Sequence, residues 1–367
     1  MEYNLKYVAI FIDYSQAINS LDRTRMLKIL SEYGIPWRII KTIKLMYTDT
    51  WAKVVTKDGH TDAFEILSGI LLGDTLSPYI FIICIDFCMK KALEGKDELG
   101  FVLHPRRSRR YPERRIEDLD FVDDMTLLAS DLHSAQEFLL KVEKQAKTIG
   151  LELNAKKTKV MVWNLDSIED ENTNIKTTNG HEVKRTEDFK YLGAWIGSSC
   201  KDIMCRIGLA WSACNRLSNI WSSKLDKLEK LRIFVATVES VLLYECETWT
   251  ISVKLERKLD GTYTKLLRKV QNFTWNDKVN NIDLYNGMPR VSEKIRVRRL
   301  KLSGHCQRHP EIMANFELLW VPKHGMRKPG RLRLTYVDTL LQDTGLESTE
   351  ELVKAMSDRE SWRTFYM

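Results

Sequence analysis

No apolar run in the 367-residue sequence approaches the roughly 20 residues that a membrane-spanning helix needs. The longest candidate, Tyr79 to Cys88, is interrupted by Asp86 and followed by Lys90 and Lys91, and reads as a buried helix. No membrane partner is expected. There is no CxxC pair, and the 7 cysteines are odd in number and scattered. That argues against a disulfide framework and for a reduced, intracellular protein. Cys84 and Cys88 lie four apart on the same expected helix and read as core residues. There is no internal repeat and no low-complexity tract. The opening MEYNLKYVAIFID has too short an apolar stretch for a signal peptide and runs into Asp13.

What is present is an ordinary globular balance, 44% hydrophobic and 29% charged residues. The length suits two to three domains at about 150 residues each. The net charge of +7 is compatible with a polyanionic partner without requiring one. Its distribution says more. Arg106, Arg107, Arg109, Arg110, Arg114 and Arg115 crowd into one stretch. Such a run suits phosphate contact, which gives affinity but no base specificity. A plain solvated loop is the competing reading.

Lys6 to Ile12 alternates and then turns continuously apolar, as a buried strand does. Asp22 suits the cap of a helix reaching Tyr33, followed by a helix from Arg38 to Tyr47. Trp51–Val55 and Ala63–Leu67 read as strands joined through Asp58-Gly59. A helix is expected over Tyr79–Leu93 with Pro78 as its first residue. Ile116–Val122 and Met125–Ala129 read as strands with Asp123-Asp124 at the bend. Leu132–Ile149 is an amphipathic helix, Thr158–Trp163 a strand, and Phe189–Ile196 a last single strand. Beyond Lys201 the period is helical. The tryptophans at 211, 221, 249, 275, 320 and 362 read as core. The basic segment His324–Arg333 reads as a linker or a nucleic-acid contact.

Two features carry chemistry. Asp13 ends a buried strand, where a carboxylate is costly unless paired or metal-bound; a turn or capping aspartate would look the same. Asp123-Asp124 concentrates negative charge at a hairpin, which a divalent cation would relieve; an exposed turn is the alternative. Nucleotidyl transfer with two metals needs carboxylates from separate strands converging on one point. Asp13 and Asp123-Asp124 suit that requirement, and oxygen ligands suit Mg²⁺. His305, Cys306 and His309 do not have the spacing of a four-ligand zinc site.

The sequence also resembles a family. Asp13-Tyr14-Ser15-Gln16-Ala17-Ile18-Asn19-Ser20 is similar to the first palm motif of LINE-type, non-LTR retrotransposon reverse transcriptases. Gly69 to Pro78 (GILLGDTLSP), Glu117 to Asp124 (EDLDFVDD), Gly150 to Asn154 with Lys157-Thr158-Lys159, and Phe189-Lys190-Tyr191-Leu192-Gly193 resemble the following motifs in order. Leu242 to Trp249, Arg298-Arg299-Leu300 with Gly304-His305, and Asp358-Arg359 with Trp362-Arg363 extend the resemblance to essentially the whole chain.

The resemblance implies an α+β fold: a polymerase right-hand palm, an antiparallel sheet with packed helices, followed by a mainly α-helical thumb and C-terminal region. The implied bounds are 1–197, 198–280 and 281–367. It implies an RNA-directed DNA polymerase that uses an RNA template, a DNA primer and dNTPs. Two Mg²⁺ ions, with Mn²⁺ as the alternative, would sit on Asp13, Asp123 and Asp124. Tyr14, Ile18, Gly73, Asp74 and Lys157 would face the nucleotide. Phe189, Tyr191, Leu192 and Gly193 would grip the primer, and Arg106, Arg107, Arg109 and Arg110 would contact nucleic acid. Use of chromosomal DNA as primer would place it in the nucleus, with the cytoplasm as the alternative. The chain departs from the motifs at Ile18, where an aromatic ring is usual, and at Leu71 and Leu72, where Arg and Gln are usual. The fingers segments before the first motif and an endonuclease domain are not found. The rival expectation is therefore an inactive remnant that at most binds RNA or DNA.

Overall fold

The computed structural model describes residues 5–71, 73–94, 99–106, 108–110, 113–164, 173–322 and 334–367. The readings placed on Leu72, on Arg107, on the 324–333 segment and on the side chain of Trp275 lie outside the described residues. The chain divides into two compact units, one spanning Leu5–Phe189 and the other running from Lys190 onward.

The first unit is built around β1 (Tyr7–Ile12). It lies at the centre of a five-stranded sheet with β9 (Asp118–Phe121), β10 (Asp124–Ala129), β12 (Lys159–Trp163) and β13 (Lys184–Arg185), ordered β13-β12-β1-β10-β9. β1 is antiparallel to β10 and β12, and β12 runs parallel to β13. Val8 to Ile12 are all buried, so the unbroken apolar run corresponds to a strand covered on both faces. Val8, Ile10 and Ile12 join a core with Phe81, Cys84, Ile85 and Cys88 of helix α4 (Ser77–Leu93) and Phe138 and Leu139 of helix α5 (Leu132–Thr148). Phe11, on the opposite face, stacks on Phe189 with ring centroids 4.3 Å apart.

Between β1 and α4 come the short helices Ala17–Ser20 and Arg23–Glu32 and the helix Trp37–Met46. Asp22 caps the second of these, accepting from the Arg25 amide at 2.7 Å. The expected hairpin near Asp58-Gly59 forms in two short pieces. Trp51–Ala52 pairs with Phe64–Glu65, and Val55–Thr56 pairs with Gly59–His60.

Two expectations change here. Arg114 and Arg115 are not loop residues: Arg114–Ile116 pairs with Phe101–His104, and Arg115 bonds Glu113 and the Gly100 carbonyl. The stretch Phe189–Ile196 is not one strand. It is the hairpin β14 (Phe189–Tyr191) and β15 (Ala194–Ile196). Leu192 at φ 47° and Gly193 at φ 95° turn the chain back, and an extended strand cannot pass through two such residues.

In the second unit, helices Ser199–Arg216, Lys227–Phe234, Val253–Val270 and Val291–Arg308 enclose a core that includes Trp221, Phe234, Leu242, Tyr263 and Ile295. A π-helical turn, Val235–Glu239, continues the second of these helices. A smaller cluster joins Leu300, Leu340, Leu352, Met356 and Trp362, whose indole donates to the Leu300 carbonyl at 2.7 Å. Trp221, Trp249 and Trp362 are buried as expected, while Trp211 and Trp320 are half-buried. Among the described residues no helix is long and apolar enough to cross a membrane.

Candidate active site

The sheet register brings the aspartates toward one another. β1 pairs with β10 up to Ile12–Met125, so one step further Asp13 comes opposite Asp124. On the other side β1 pairs with β12 up to Phe11–Lys159, and the next steps reach Thr158 and Lys157. The Asp13 amide donates to Thr158 Oγ1 at 3.2 Å, and the Asp13 carbonyl accepts from the Asn154 amide at 2.8 Å. Asp13 is thus held by its backbone, leaving its carboxylate to other work. Lys157 Nζ lies 3.6 Å from Asp13 Oδ1, beyond hydrogen-bond range, and that oxygen is shielded from solvent with no hydrogen-bond partner.

Asp123 and Asp124 sit at the β9–β10 turn, where Val122 takes φ 59°. A positive φ at the first central residue of a two-residue hairpin normally calls for glycine, and it is strained for a β-branched side chain. What holds Val122 there is partial burial against the core. Burial raises the Asp124 carboxyl above its ordinary range, and the neighbouring charges of Asp123 and Asp13 raise it further. Asp124 therefore senses the other two carboxylates. Among the described residues, however, no group of three His, Cys, Asp or Glu side chains is close enough to hold a metal ion as it stands.

Asp118 and Asp120, two apart on β9, share a hydrogen bond. Burial raises both carboxyls, and the charges of Asp118 and Asp86 help push Asp120 up to about 7. The sequence reading treated this pair only as flanking residues.

The other expected residues fall as follows. Tyr14 is buried, pairs with Leu153, and its hydroxyl is pushed far above the usual range by burial. Ile18 is partly buried against the core, and its carbonyl accepts from Ile70 N at 2.9 Å. Gly69 donates to Leu21 O at 2.8 Å, and a Cβ on it would lie 2.5 Å from the Asn19 carbonyl. That close approach explains the glycine that opens the second motif. Gly73 is exposed, while Asp74 accepts from Leu76 N at 3.2 Å in the turn that precedes α4. Leu71 packs against the core, so replacing a usual arginine adds apolar contact there. Arg106, Arg109 and Arg110 are exposed on the connection before Arg114.

Two organising groups escaped the sequence reading. Arg23 gathers Gly69 O (2.9 Å), Tyr47 O (2.8 Å), Ile66 O (2.8 Å) and Thr50 Oγ1 (2.9 Å), and lies over the Tyr47 ring. It ties the loop behind Gly69 to the segment that follows Asp13. In the second unit, Tyr244 Oη donates to Leu192 O at 2.8 Å, Arg206 donates to Gly193 O at 2.5 Å, and Asp202 accepts from Trp195 N at 3.2 Å. The expected primer-grip residues split at the unit boundary: Phe189 belongs to the first unit, and Tyr191, Leu192 and Gly193 to the second.

Residues 2–196 match the family described as reverse transcriptase (RNA-dependent DNA polymerase). The chain is similar to a transposon-derived protein of Caenorhabditis elegans, 26% identical over 267 residues, covering 68% of this chain and 94% of that one. It is also similar to the RNA-directed DNA polymerase from mobile element jockey of Drosophila funebris, at 24% identity over 71% of this chain and 28% of the relative. A third relative, the Pol polyprotein from type-1 retrotransposable element R2 of Bradysia coprophila, is 26% identical over 42% of this chain and 16% of its own length. Among solved structures, telomerase from Candida albicans aligns at 12% identity with a TM-score of 0.36, over 81% of this chain and 48% of that one. This chain thus spans less than a third of the two named polymerases. With the family match covering more than half of its length, the chain belongs to the reverse transcriptases, and within them to the kind carried by non-LTR retrotransposons.

Proposed function

We propose that this chain is the RNA-directed DNA polymerase region of a non-LTR retrotransposon, adding dNTPs to a DNA 3′-hydroxyl on an RNA template. In this reading residues 1–197 form the palm, 198–280 the thumb and 281–367 a C-terminal helical, basic region. The observation that carries it is the register that sets Asp13 opposite Asp124, with Asp13 Oδ1 shielded and lacking a hydrogen-bond partner. A shielded carboxylate oxygen without a donor fits a hard cation, and so does a set of oxygen ligands. Asp13 and Asp123 would be the main holders of divalent ions, Mg²⁺ or Mn²⁺, with Asp124 beside them. Ions bound there would ease deprotonation of the 3′-hydroxyl and offset charge on the triphosphate.

The chain's own residues supply the rest. Thr158 and Asn154 fix the Asp13 backbone. Lys157 brings positive charge beside Asp13, and on this reading it turns to the triphosphate when nucleotide binds. Tyr14, Ile18, Gly73 and Asp74 border the nucleotide, and Phe189, Tyr191, Leu192 and Gly193 hold the primer. The RNA template and DNA primer meet Arg106, Arg109 and Arg110 through phosphates. Priming from chromosomal DNA places the activity in the nucleus.

The second reading is a remnant that binds nucleic acid without turnover. The ammonium of Lys157 at 3.6 Å from Asp13 favours it, because it puts a resident cation where a metal would be needed. One assay separates the two. The full chain receives poly(rA)/oligo(dT), labelled dTTP and Mg²⁺, beside an Asp123→Ala, Asp124→Ala double variant. Extension that the double variant loses supports the polymerase. Salt-sensitive RNA binding without extension at any protein concentration supports the remnant and sinks the polymerase reading.

A further inference from the structure

We propose that Tyr244 and Arg206 are positioning residues that hold the Leu192–Gly193 turn in the shape that meets a nucleic-acid backbone. The inference rests on the reading of this hairpin as the primer grip. A two-stranded ribbon has little stability by itself. This one turns through Leu192 at φ 47° and Gly193 at φ 95°, the first of which a leucine does not adopt willingly. Strain of this kind persists where surrounding groups over-determine it, and such sites cluster at ligand clamps.

Here the surrounding groups are specific. Tyr244 Oη donates to the carbonyl of Leu192, and Arg206 Nη2 donates to the carbonyl of Gly193. The Arg206 guanidinium lies 4.3 Å over the Tyr244 ring, so the two donors brace each other. Asp202 is the base of the brace. It accepts from Trp195 N and from the Trp249 indole at 2.8 Å, and it stands 3.9 Å from Arg206 Nε. Arg206 and Asp202 are buried, whereas Tyr244 is 44% exposed. The acceptors that the two donors hold are both backbone atoms of the turn, so the network shapes the hairpin rather than filling a core.

Leu192 of the turn also lines a groove of about 950 Å³, together with Arg298, Lys301 and His305. Trp195 faces the same groove, with Lys201 Nζ 3.7 Å over its ring. Aromatic and cationic walls together are what a nucleic-acid strand uses. Asp202, Glu245 and Glu247 also line the groove, and the Glu247 carboxylate lies 3.6 Å from Arg298.

The test is binding, which does not require turnover. Fluorescently labelled oligo(dT) annealed to poly(rA) is titrated with the full chain in Mg²⁺ and read by anisotropy. Tyr191→Ala tests the primer-grip reading. Tyr244→Phe, which removes only the hydroxyl bonded to Leu192 O, tests the inference, with Arg206→Lys as the second variant. We expect Tyr244→Phe to weaken binding about fivefold to tenfold, an effect of roughly one lost hydrogen bond. We also expect faster amide exchange at Gly193 to Trp195 and a thermal midpoint close to the parent's. Weakening by Tyr191→Ala with none by Tyr244→Phe or Arg206→Lys overturns the positioning role alone. No effect of Tyr191→Ala, or no binding by the parent chain, overturns the primer-grip reading and the inference with it.

Discussion

Replacing Arg23 by methionine removes one guanidinium from two separate chain segments, 47–50 and 66–69. Its Nε bonds Gly69 O, and its Nη1 is shared among Tyr47 O, Ile66 O and Thr50 Oγ1. The two hydrogens on Nη1 cannot serve three acceptors fully, so the set amounts to about three bonds. Hydrogen bonds to a charged group are worth about 1.5–3 kcal/mol each when buried, and about 1 kcal/mol is reasonable at this half-buried site. Arg23→Met should therefore cost the first unit about 3 kcal/mol. For a unit of this size that lowers the thermal midpoint by about 6–12 °C. Arg23→Lys should recover about 1 kcal/mol of this, because an ammonium cannot span the same acceptors.

The chain has two units and need not unfold in one step, so a global melt should be paired with a local probe. The amides of Gly69 and Ile70, bonded to Leu21 O and Ile18 O, report the junction directly by hydrogen exchange. Both should lose protection in Arg23→Met before the rest of the sheet does. Unchanged protection at these two amides, with a midpoint within about 2 °C of the parent, would refute the assigned role of Arg23.

Other outcomes follow from the same geometry. Leu192→Asn makes Asn-Gly, the pair that a turn with two positive φ values favours, and should stabilise the hairpin by about 1 kcal/mol, read from amide exchange around the turn. Glu239 accepts from Tyr263 Oη and from Lys294 Nζ at 2.6 Å, so Glu239→Gln leaves the ammonium of Lys294 poorly compensated in the helical core. It should cost the second unit about 3–5 kcal/mol in urea unfolding. Asp120 is lifted from an ordinary 3.8 to about 7, so its protonated form favours the fold. That stabilisation is complete below the unfolded value and lost as pH rises through about 7, so the melting midpoint of the first unit should fall between pH 5 and 8 by about a few degrees and fall less in Asp120→Asn.

The central strand, the paired strands around Asp123-Asp124 and the long helices were legible because each has an apolar period that burial enforces. β1 is the plainest case: a run with no polar interruption ended at the aspartate. The turn at Leu192 was not legible, because its local sequence reads as strand and the bonds that bend it come from Tyr244 and Arg206, far along the chain. Arg23 was missed for a related reason. It sits in the first turn of a helix, where an arginine reads as solvated, and three of its four partners are backbone carbonyls, which leave no trace in side-chain pattern. The Arg114–Ile116 strand was hidden by charge, since two arginines in a row suggest a loop. The aspartates could be named from sequence, but their mutual approach needed the register of β1 with β10.

The central position of β1 has a consequence in time. Its partners on both sides come from late in the unit: the bond from Asp13 to Thr158 alone spans 145 residues. At about 5–20 residues per second, a ribosome needs roughly 7 to 30 s to deliver that partner after β1 has formed. Until β10 is made, the apolar segment Tyr7–Ile12 has two open edges, and until β12 follows one of them stays open. The site's first aspartate is thus made early and assembled late. During synthesis this strand is in need of protection, and truncation before Lys159 would leave its β12 edge open for good.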